Sequence, residues 1–271
     1  MPVEHYENFI INNSSFILPS KKTIDFKGKP ISIFNDYIPN SQELNLNPYN
    51  ILIIQEPNEI FGLHDWAINN KDLFSCILTW SDKILNSCEN SYLHTFGTSF
   101  LWHMPDFYKN SKTENKSLGV SFLCGNKQVI EGHHLRHRIY KKQSEVMIPN
   151  KWIYTTSEGK EICFDKYMFN ISIENCKHLN WFTEKLLDCF LTKTIPLYWG
   201  CPNIGDFFNE NGIITFENEY DLIKKLNELT IHDYNDRIDA INENYEKALY
   251  YGDFFYRLNE ILEQIIINNN I

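Results

Sequence analysis

The 271-residue chain has no cysteine pair in CxxC spacing, no DxD triplet and no run of about 18 apolar residues. Each absence removes a class of protein. Without a long apolar run there is no membrane span. The start of the chain, MPVEHYENFIINNSSF, has no basic segment leading into an apolar one, so the expectation is a soluble, cytoplasmic protein without signal peptide or anchor. The seven cysteines, at 76, 88, 124, 163, 176, 189 and 201, fall mostly inside apolar stretches at irregular spacing. That predicts buried, reduced thiols and argues against a disulfide framework. Basic charge is scarce as well. With 25 Lys and Arg against 35 Asp and Glu, the formal charge is −10, and no Lys/Arg-rich face is available to release phosphate counterions from nucleic acid. Internal repeats are missing too. What is present is apolar: 43% hydrophobic and 15% aromatic residues describe a globular chain, long enough for one large or two small domains.

Residues 1–49 are rich in Asn, Ser, Pro and Lys, and their short apolar runs at 9–11, 16–18 and 31–34 read as edge strands and loops. From there the pattern sharpens. Residues 51–54 (ILII) read as a buried strand, 55–59 as its exit loop, 64–68 as a helical segment, 76–80 as a second strand and 81–87 as a short helix. This alternation predicts half of a small doubly wound domain. The charged, apolar-free run at 109–116 (KNSKTENK) reads as a linker, so the domain boundary is expected between 115 and 116. Residues 119–124 then begin a new strand, 125–127 its exit turn, and 131–142 a helix with Leu135 and Ile139 on its apolar face. That helix crowds together His133, His134, Arg136, His137 and Arg138. His133 and His137 are an i,i+4 pair, but no Glu lies between them as in HExxH and no third ligand is evident, so the pattern argues against a metal and for a polar outer helix face.

The stretch from 167 to 200, YMFNISIENCKHLNWFTEKLLDCFLTKTIPLYWG, reads as strand, polar loop, helix and strand. Thr183 is a suitable N-cap, Leu186, Leu187, Phe190 and Leu191 recur at helical spacing, and Pro196 opens a second apolar run closed by Gly200. Lys185 falls in the first helical turn, where the macrodipole opposes a cation. Either it bends into solvent or a bound anion removes the conflict. Glu174, Asn175, His178 and Asn180 gather in the loop at the carboxyl end of the strand, where open α/β sheets bind ligands. After this unit, 212–216 predicts a strand, Asn218 caps a helix with a Leu222, Ile223, Leu226 and Leu229 stripe, and 234–251 and 254–267 predict two closing helices.

Glu174-Asn175, seven further residues, Thr183-Glu184-Lys185, an apolar helix and the strand Ile195-Pro196-Leu197-Tyr198-Trp199 closed by Gly200 together resemble the donor-binding signature of α1,3-fucosyltransferases and their bacterial and viral relatives. Cys176 stands where relatives carry Ser or Thr, and Trp181 where they carry Tyr, which keeps a stacking face and loses a hydroxyl. The resemblance implies an α/β fold of the GT-B type: two Rossmann-like domains facing a cleft, a small N-terminal acceptor domain over 1–115 and a donor domain over 116–271. It implies inverting transfer of a sugar, fucose from GDP-fucose, to a glycan hydroxyl. On it, Arg136 takes the position of the arginine on the donor diphosphate, with Lys185 beside it. Asn175 and Glu184 take hydroxyl-binding positions, Glu174 is counted among the donor-binding residues, and Trp181 packs against the donor. Glu56 takes the place of the base, with Glu59 as second choice. Both cations are expected to be exposed. With no DxD triplet, neither metal nor other cofactor is expected. Two alternatives stay open, another nucleotide sugar in the same fold and a non-catalytic sugar-nucleotide or glycan-binding module.

Overall fold

The computed structural model describes residues 21–26, 28–97, 105–154, 163–164 and 166–268; the apolar runs at 9–11 and 16–18 lie outside them. Residues up to Phe96 together with those from Phe254 onward form one compact unit, and Gly97–Asp253 form a second.

In the first unit β1 (Lys21–Phe26) and β2 (Lys29–Asn35) make an antiparallel hairpin, turning at Gly28 with φ 81°. Then α1 (Ser41–Leu44) leads to β3 (Tyr49–Ile54), α2 (Asn58–Phe61) and α3 (His64–Asn69) to β4 (Cys76–Thr79), and α4 (Asp82–Leu85) to β5 (Ser91–Leu93). Sheet order follows chain order, and β2 to β5 are parallel. The run at 31–34 is therefore an inner strand, not an edge strand; only β1 shields it from the sheet margin. Parallel strands covered on both faces are apolar at successive positions, which explains ILII. Ile51 and Ile53 point into one apolar cluster, whereas Leu52 and Ile54 join Ala67 and Ile84 in the other.

The second unit runs through α5 (Pro105–Lys109), β6 (Ser117–Cys124), α6 (Glu131–Tyr140), β7 (Asn150–Tyr154), β8 (Tyr167–Ile173), α7 (Glu184–Leu191), β9 (Ile195–Trp199), β10 (Ile214–Thr215), α8 (Glu219–Glu228), α9 (Ile231–Asn235) and α10 (Ile238–Gly252). Its strands are all parallel in the order β10-β9-β8-β6-β7. Leu135 and Ile139 of α6 and Leu222 and Leu226 of α8 share one cluster with Phe169, Ile171 and Ile173. Leu186, Leu187 and Phe190 of α7 share the other with Ala248 of α10. Helices thus cover both faces, the doubly wound arrangement.

The last helix, α11 (Phe254–Asn268), returns to the first unit. Phe254, Leu258, Leu262 and Ile265 recur at helical spacing and pack with Ile24, Ile33, Ile51 and Ile53. At about 1.5–3 kcal/mol per buried side chain, this face is a large part of that unit's core. The boundary also differs from 115/116. Tyr108 of α5 is 4% exposed and packs with Phe182 and Leu187, which draws the charged 109–116 run into the second unit. All seven cysteines are free and buried. Among the described residues no helix is long and apolar enough to cross a membrane.

Candidate functional site

In the second sheet the chain steps from β6 outward to β7 and, on the other side, from β8 to β9 and β10. The strand order reverses between β6 and β8, and a crevice opens at the carboxyl ends of strands at such a point. A cavity of about 160 Å³ lies there, lined by Leu123 of β6 and Gly125 just after it, Ile173 of β8, Arg136 of α6, and Lys185 and Asp188 of α7.

The floor of this site is built around Glu174. Its backbone N–H donates to Trp199 O (2.8 Å), and its side chain has no exposed surface. The carboxylate accepts the Thr183 backbone N–H at 2.8 Å and the Thr183 hydroxyl at 2.7 Å. Glu174 thereby locks the N-cap of α7 to the end of β8. Two glycines make room for it. A Cβ on Gly132 would lie 1.9 Å from Glu174 O, and one on Gly200 would lie 2.5 Å from Glu174 Cγ. With Gly132 in place, its N–H reaches Asn175 O at 2.9 Å, so the start of α6 is tied to the same loop. Asn180, at φ 61°, gives its N–H to Asn203 Oδ1 (2.8 Å), which fixes the far end of the loop.

Charge is distributed over this frame. Lys185 Nζ lies 3.1 Å from Thr183 Oγ1, 3.2 Å from Glu184 Oε1 and 3.6 Å from Glu174 Oε2. Its place in the first helical turn is thus balanced by two carboxylates within the chain, and the conflict with the macrodipole is already answered. Burial lowers the Lys185 ammonium, but Glu184 and Glu174 outweigh it and hold the group above the ordinary lysine value. Burial pushes the Glu174 carboxyl up against the pull of Lys185 and Thr183. Arg136 donates through Nε to Ile173 O (3.1 Å) and through Nη2 to Ile173 O and to Asn175 Oδ1 (2.9 Å). Its Nη1 donors are uncommitted among the described residues.

Arg136, Asn175, Glu174, Glu184 and Lys185 are therefore brought together, with three changes from the sequence expectation. Arg136 is 9% exposed and the Lys185 side chain 26%, so neither cation is freely solvated. Trp181 is fully buried, edge-on to His178 at 6.5 Å, and offers no face for a donor to pack on. Glu174 supports the site from beneath rather than reaching into it. The histidines of α6 hold the turn after β6: Val129 N–H donates to His133 Nδ1 (3.3 Å), and His137 Nε2 lies 3.1 Å from Lys127 O. Burial, helped by Arg136, Lys127 and Lys185, pushes His133 down to about 4, which keeps it neutral at pH 7.

In the first unit, Glu56 is half-buried just past β3, and Glu59 is exposed on α2. Sequence reasoning passed over Asp36, whose carboxylate accepts the N–H groups of Gln55 (3.0 Å) and Glu56 (3.2 Å). The signal was there: Asn35-Asp36 follows the apolar run at 31–34 just as Gln55-Glu56 follows 51–54. The roles of Gly132 and Gly200 were equally unread, since a close approach across elements leaves no local mark.

Residues 110–238 match the model of glycosyltransferase family 10 (fucosyltransferase), C-terminal part. The chain is similar to family 10 fucosyltransferases. An α-(1,3)-fucosyltransferase FucT of Helicobacter pylori is 30% identical over 103 residues, 37% of this chain and 21% of that protein. The chain thus matches about a fifth of the length of this curated relative. A crystal structure of an α1,3-fucosyltransferase matches over 76% of each chain at 15% identity with a TM-score of 0.50. That likeness is one of fold, and it agrees with the GT-B class of two Rossmann-like units. Another, solved with GDP-fucose, covers 84% of this chain and 74% of its own at 20% identity and a TM-score of 0.42.

Proposed function

We propose that the protein is an inverting glycosyltransferase that moves fucose from GDP-fucose to a glycan hydroxyl. The observation that supports it most is the convergence of Arg136, Glu184 and Lys185 on a cavity at the switch point of the second sheet, with Asn175 hydrogen-bonded to Arg136, within the segment that matches family 10. Arg136 suits a diphosphate through its permanent charge and the two N–H groups of Nη1, and Lys185 adds a second cation beside it.

In this reading Glu56 takes the proton from the acceptor hydroxyl as that oxygen attacks the anomeric carbon. Positive charge develops on the sugar, as in glycoside hydrolysis, while negative charge grows on the departing diphosphate. Arg136 and Lys185 stabilise it where it develops, and a frame fixed in advance by Glu174, Thr183, Gly132 and Gly200 loses little in reorganisation. Asn175 and Glu184 take donor hydroxyls. The chain has no DxD triplet, so the two cations stand in for a divalent metal. The protein acts in the cytoplasm on a glycan acceptor.

A thermal-shift panel of nucleotides and nucleotide sugars tests this without knowledge of the acceptor. A ligand at about 100 times its dissociation constant adds about 2.7 kcal/mol to stability. GDP and GDP-fucose are expected to shift the melting temperature most, with or without EDTA. Stabilisation by UDP-sugars alone, or strict dependence on Mn²⁺, would refute the reading.

A further inference from the structure

Residues 55 and 56 end β3 in a turn whose backbone is held by side chains. The Asp36 carboxylate accepts both N–H groups, Gln55 at 3.0 Å to Oδ1, and Glu56 at 3.3 Å to Oδ1 and 3.2 Å to Oδ2. On the carbonyl side, Trp80 Nε1 donates to Gln55 O (2.7 Å), and His64 Nε2 lies 3.5 Å from Glu56 O while its Nδ1 meets Ser81 Oγ at 3.2 Å. Four backbone groups of two residues are thus met from the ends of β2 and β4 and from α3. Such a turn has little freedom to move.

Asp36 reaches this position through an uncommon backbone. Because β2 and β3 are parallel neighbours with Asn35 opposite Ile53, their carboxyl ends lie side by side. Asp36 takes φ 45° and donates its own N–H to Ile53 O (2.9 Å), which folds its carboxylate back over the end of β3. Left-handed backbone is disfavoured for residues other than glycine, with Asp and Asn among the better tolerated. The acid is also costly to keep there. Burial first, and then the like charge of Glu56, push its carboxyl up to about 7, against the pull of the two N–H groups. Strain and a perturbed acid together, beside a candidate base, mark a position kept for something other than stability.

We propose that Asp36 is a positioning residue for Glu56, its two carboxylate oxygens clamping the Gln55–Glu56 turn so that the Glu56 side chain is held at its working angle. This rests on the reading of Glu56 as the base. Oδ1 is shared by both N–H groups and Oδ2 adds a second acceptor for that of Glu56; an amide keeps one oxygen and turns a donor toward the position of the other.

The test is a double-mutant cycle on the full chain, reading kcat and KM for fucosyl transfer, GDP affinity and the urea midpoint. Asp36→Ala is expected to lower kcat by about 10- to 100-fold, the cost of a misplaced reacting group, with donor KM and GDP affinity unchanged. Asp36→Asn should lose less, since one acceptor oxygen remains. In the Glu56→Gln background, Asp36→Ala should lower the residual rate by less than about threefold, because the residue acts through Glu56. Wild-type turnover in Asp36→Ala, with Glu56→Gln inactive, overturns the positioning role alone. An equal loss in both backgrounds also overturns it, by showing that Asp36 serves the fold. Full turnover in Glu56→Gln removes the base reading itself, and with it the reason for the clamp. Should Asp36→Ala not fold, Asp36→Asn carries the same comparison.

Discussion

Two strand ends in this chain hold a carboxylate, Glu174 fully buried and Asp36 half-buried, against backbone N–H groups, and their electrostatic settings are opposite. At the end of β8, Glu174 accepts from Thr183 and has Lys185 at 3.6 Å. At the end of β2, Asp36 accepts from Gln55 and Glu56, and the charge that adds to its shift is Glu56, of its own sign. Burial pushes both carboxyls up; Lys185 opposes the shift at Glu174, whereas Glu56 adds to it at Asp36. In the proposed reading, one local device serves two purposes. In the second unit it fixes a frame of cations suited to an anionic leaving group, and in the first it fixes a pair of acids suited to taking a proton. The units differ in construction as well, since Gly97–Asp253 is continuous while the other draws its last helix from the end of the chain.

The largest expected effect breaks the acid side. Glu56→Gln should lower turnover by about 10²- to 10⁴-fold, as for a lost acid–base group, while donor affinity and melting temperature stay nearly unchanged. Glu59→Gln, on an exposed helix position, should do much less in the same steady-state assay; the reverse ranking would move the base by three residues.

On the donor side, Gly132→Ala places a methyl 1.9 Å from a backbone oxygen, so α6 must leave the β8 loop and lose the Gly132 N–H to Asn175 O bond. About 3 kcal/mol of stability should go with it, read from urea unfolding. Lys185→Ala should cost about 2 kcal/mol, because Glu174 is left buried without its nearest cation, and adding Glu174→Gln should recover part of that loss. No recovery would mean that Glu174 and Lys185 are not coupled.

The last comparison is in pH. Asp36 moves from an ordinary 3.8 to about 7, so the folded chain holds a proton that the unfolded chain has lost, and this contribution to stability falls as pH rises through that window. His133 moves from 6.5 down to about 4, so the unfolded chain takes the extra proton and stability falls as pH drops through that window. Asp36→Asn and His133→Gln should therefore change the slope of the urea midpoint between pH 4 and 7 in opposite directions.

Much of this was legible in the residues. The inner strands announce themselves as apolar runs, and Thr183 and Asn218 cap their helices as their side chains predict: Thr183 accepts from Lys185 N, and Asn218 from Tyr220 N and Asp221 N. β7 was missed because it is a sheet edge, and its apolar core, Trp152 and Ile153, is too short to stand out. The helical stripe of α11 is plain, but an amphipathic helix does not say which sheet it covers. The residues read as a donor motif come from one loop and two helices, yet they divide in a way that spacing cannot show. Arg136, Glu184 and Lys185 line the cavity and Asn175 braces Arg136, whereas Trp181 and Glu174 are at 0% exposure and hold the loop. Asp36 escaped notice because its importance comes from register between β2 and β3, a relation between strands rather than within one.

The central claim is that the frame around Glu174 presents cations to a nucleoside diphosphate. Calorimetric titration of GDP, in EDTA, into the wild type, Arg136→Lys and Arg136→Ala tests it most directly. Arg136→Ala should weaken binding by about 1.5–3 kcal/mol, the range for hydrogen bonds to charged groups, and Arg136→Lys should recover only part, since an ammonium cannot bridge two phosphate oxygens. Arg136→Ala should also unfold at lower urea, because Ile173 O and Asn175 Oδ1 lose their donor, so affinity is compared where each variant is folded. GDP affinity that is the same in all three proteins, or that appears only when Mn²⁺ is supplied, would contradict the account.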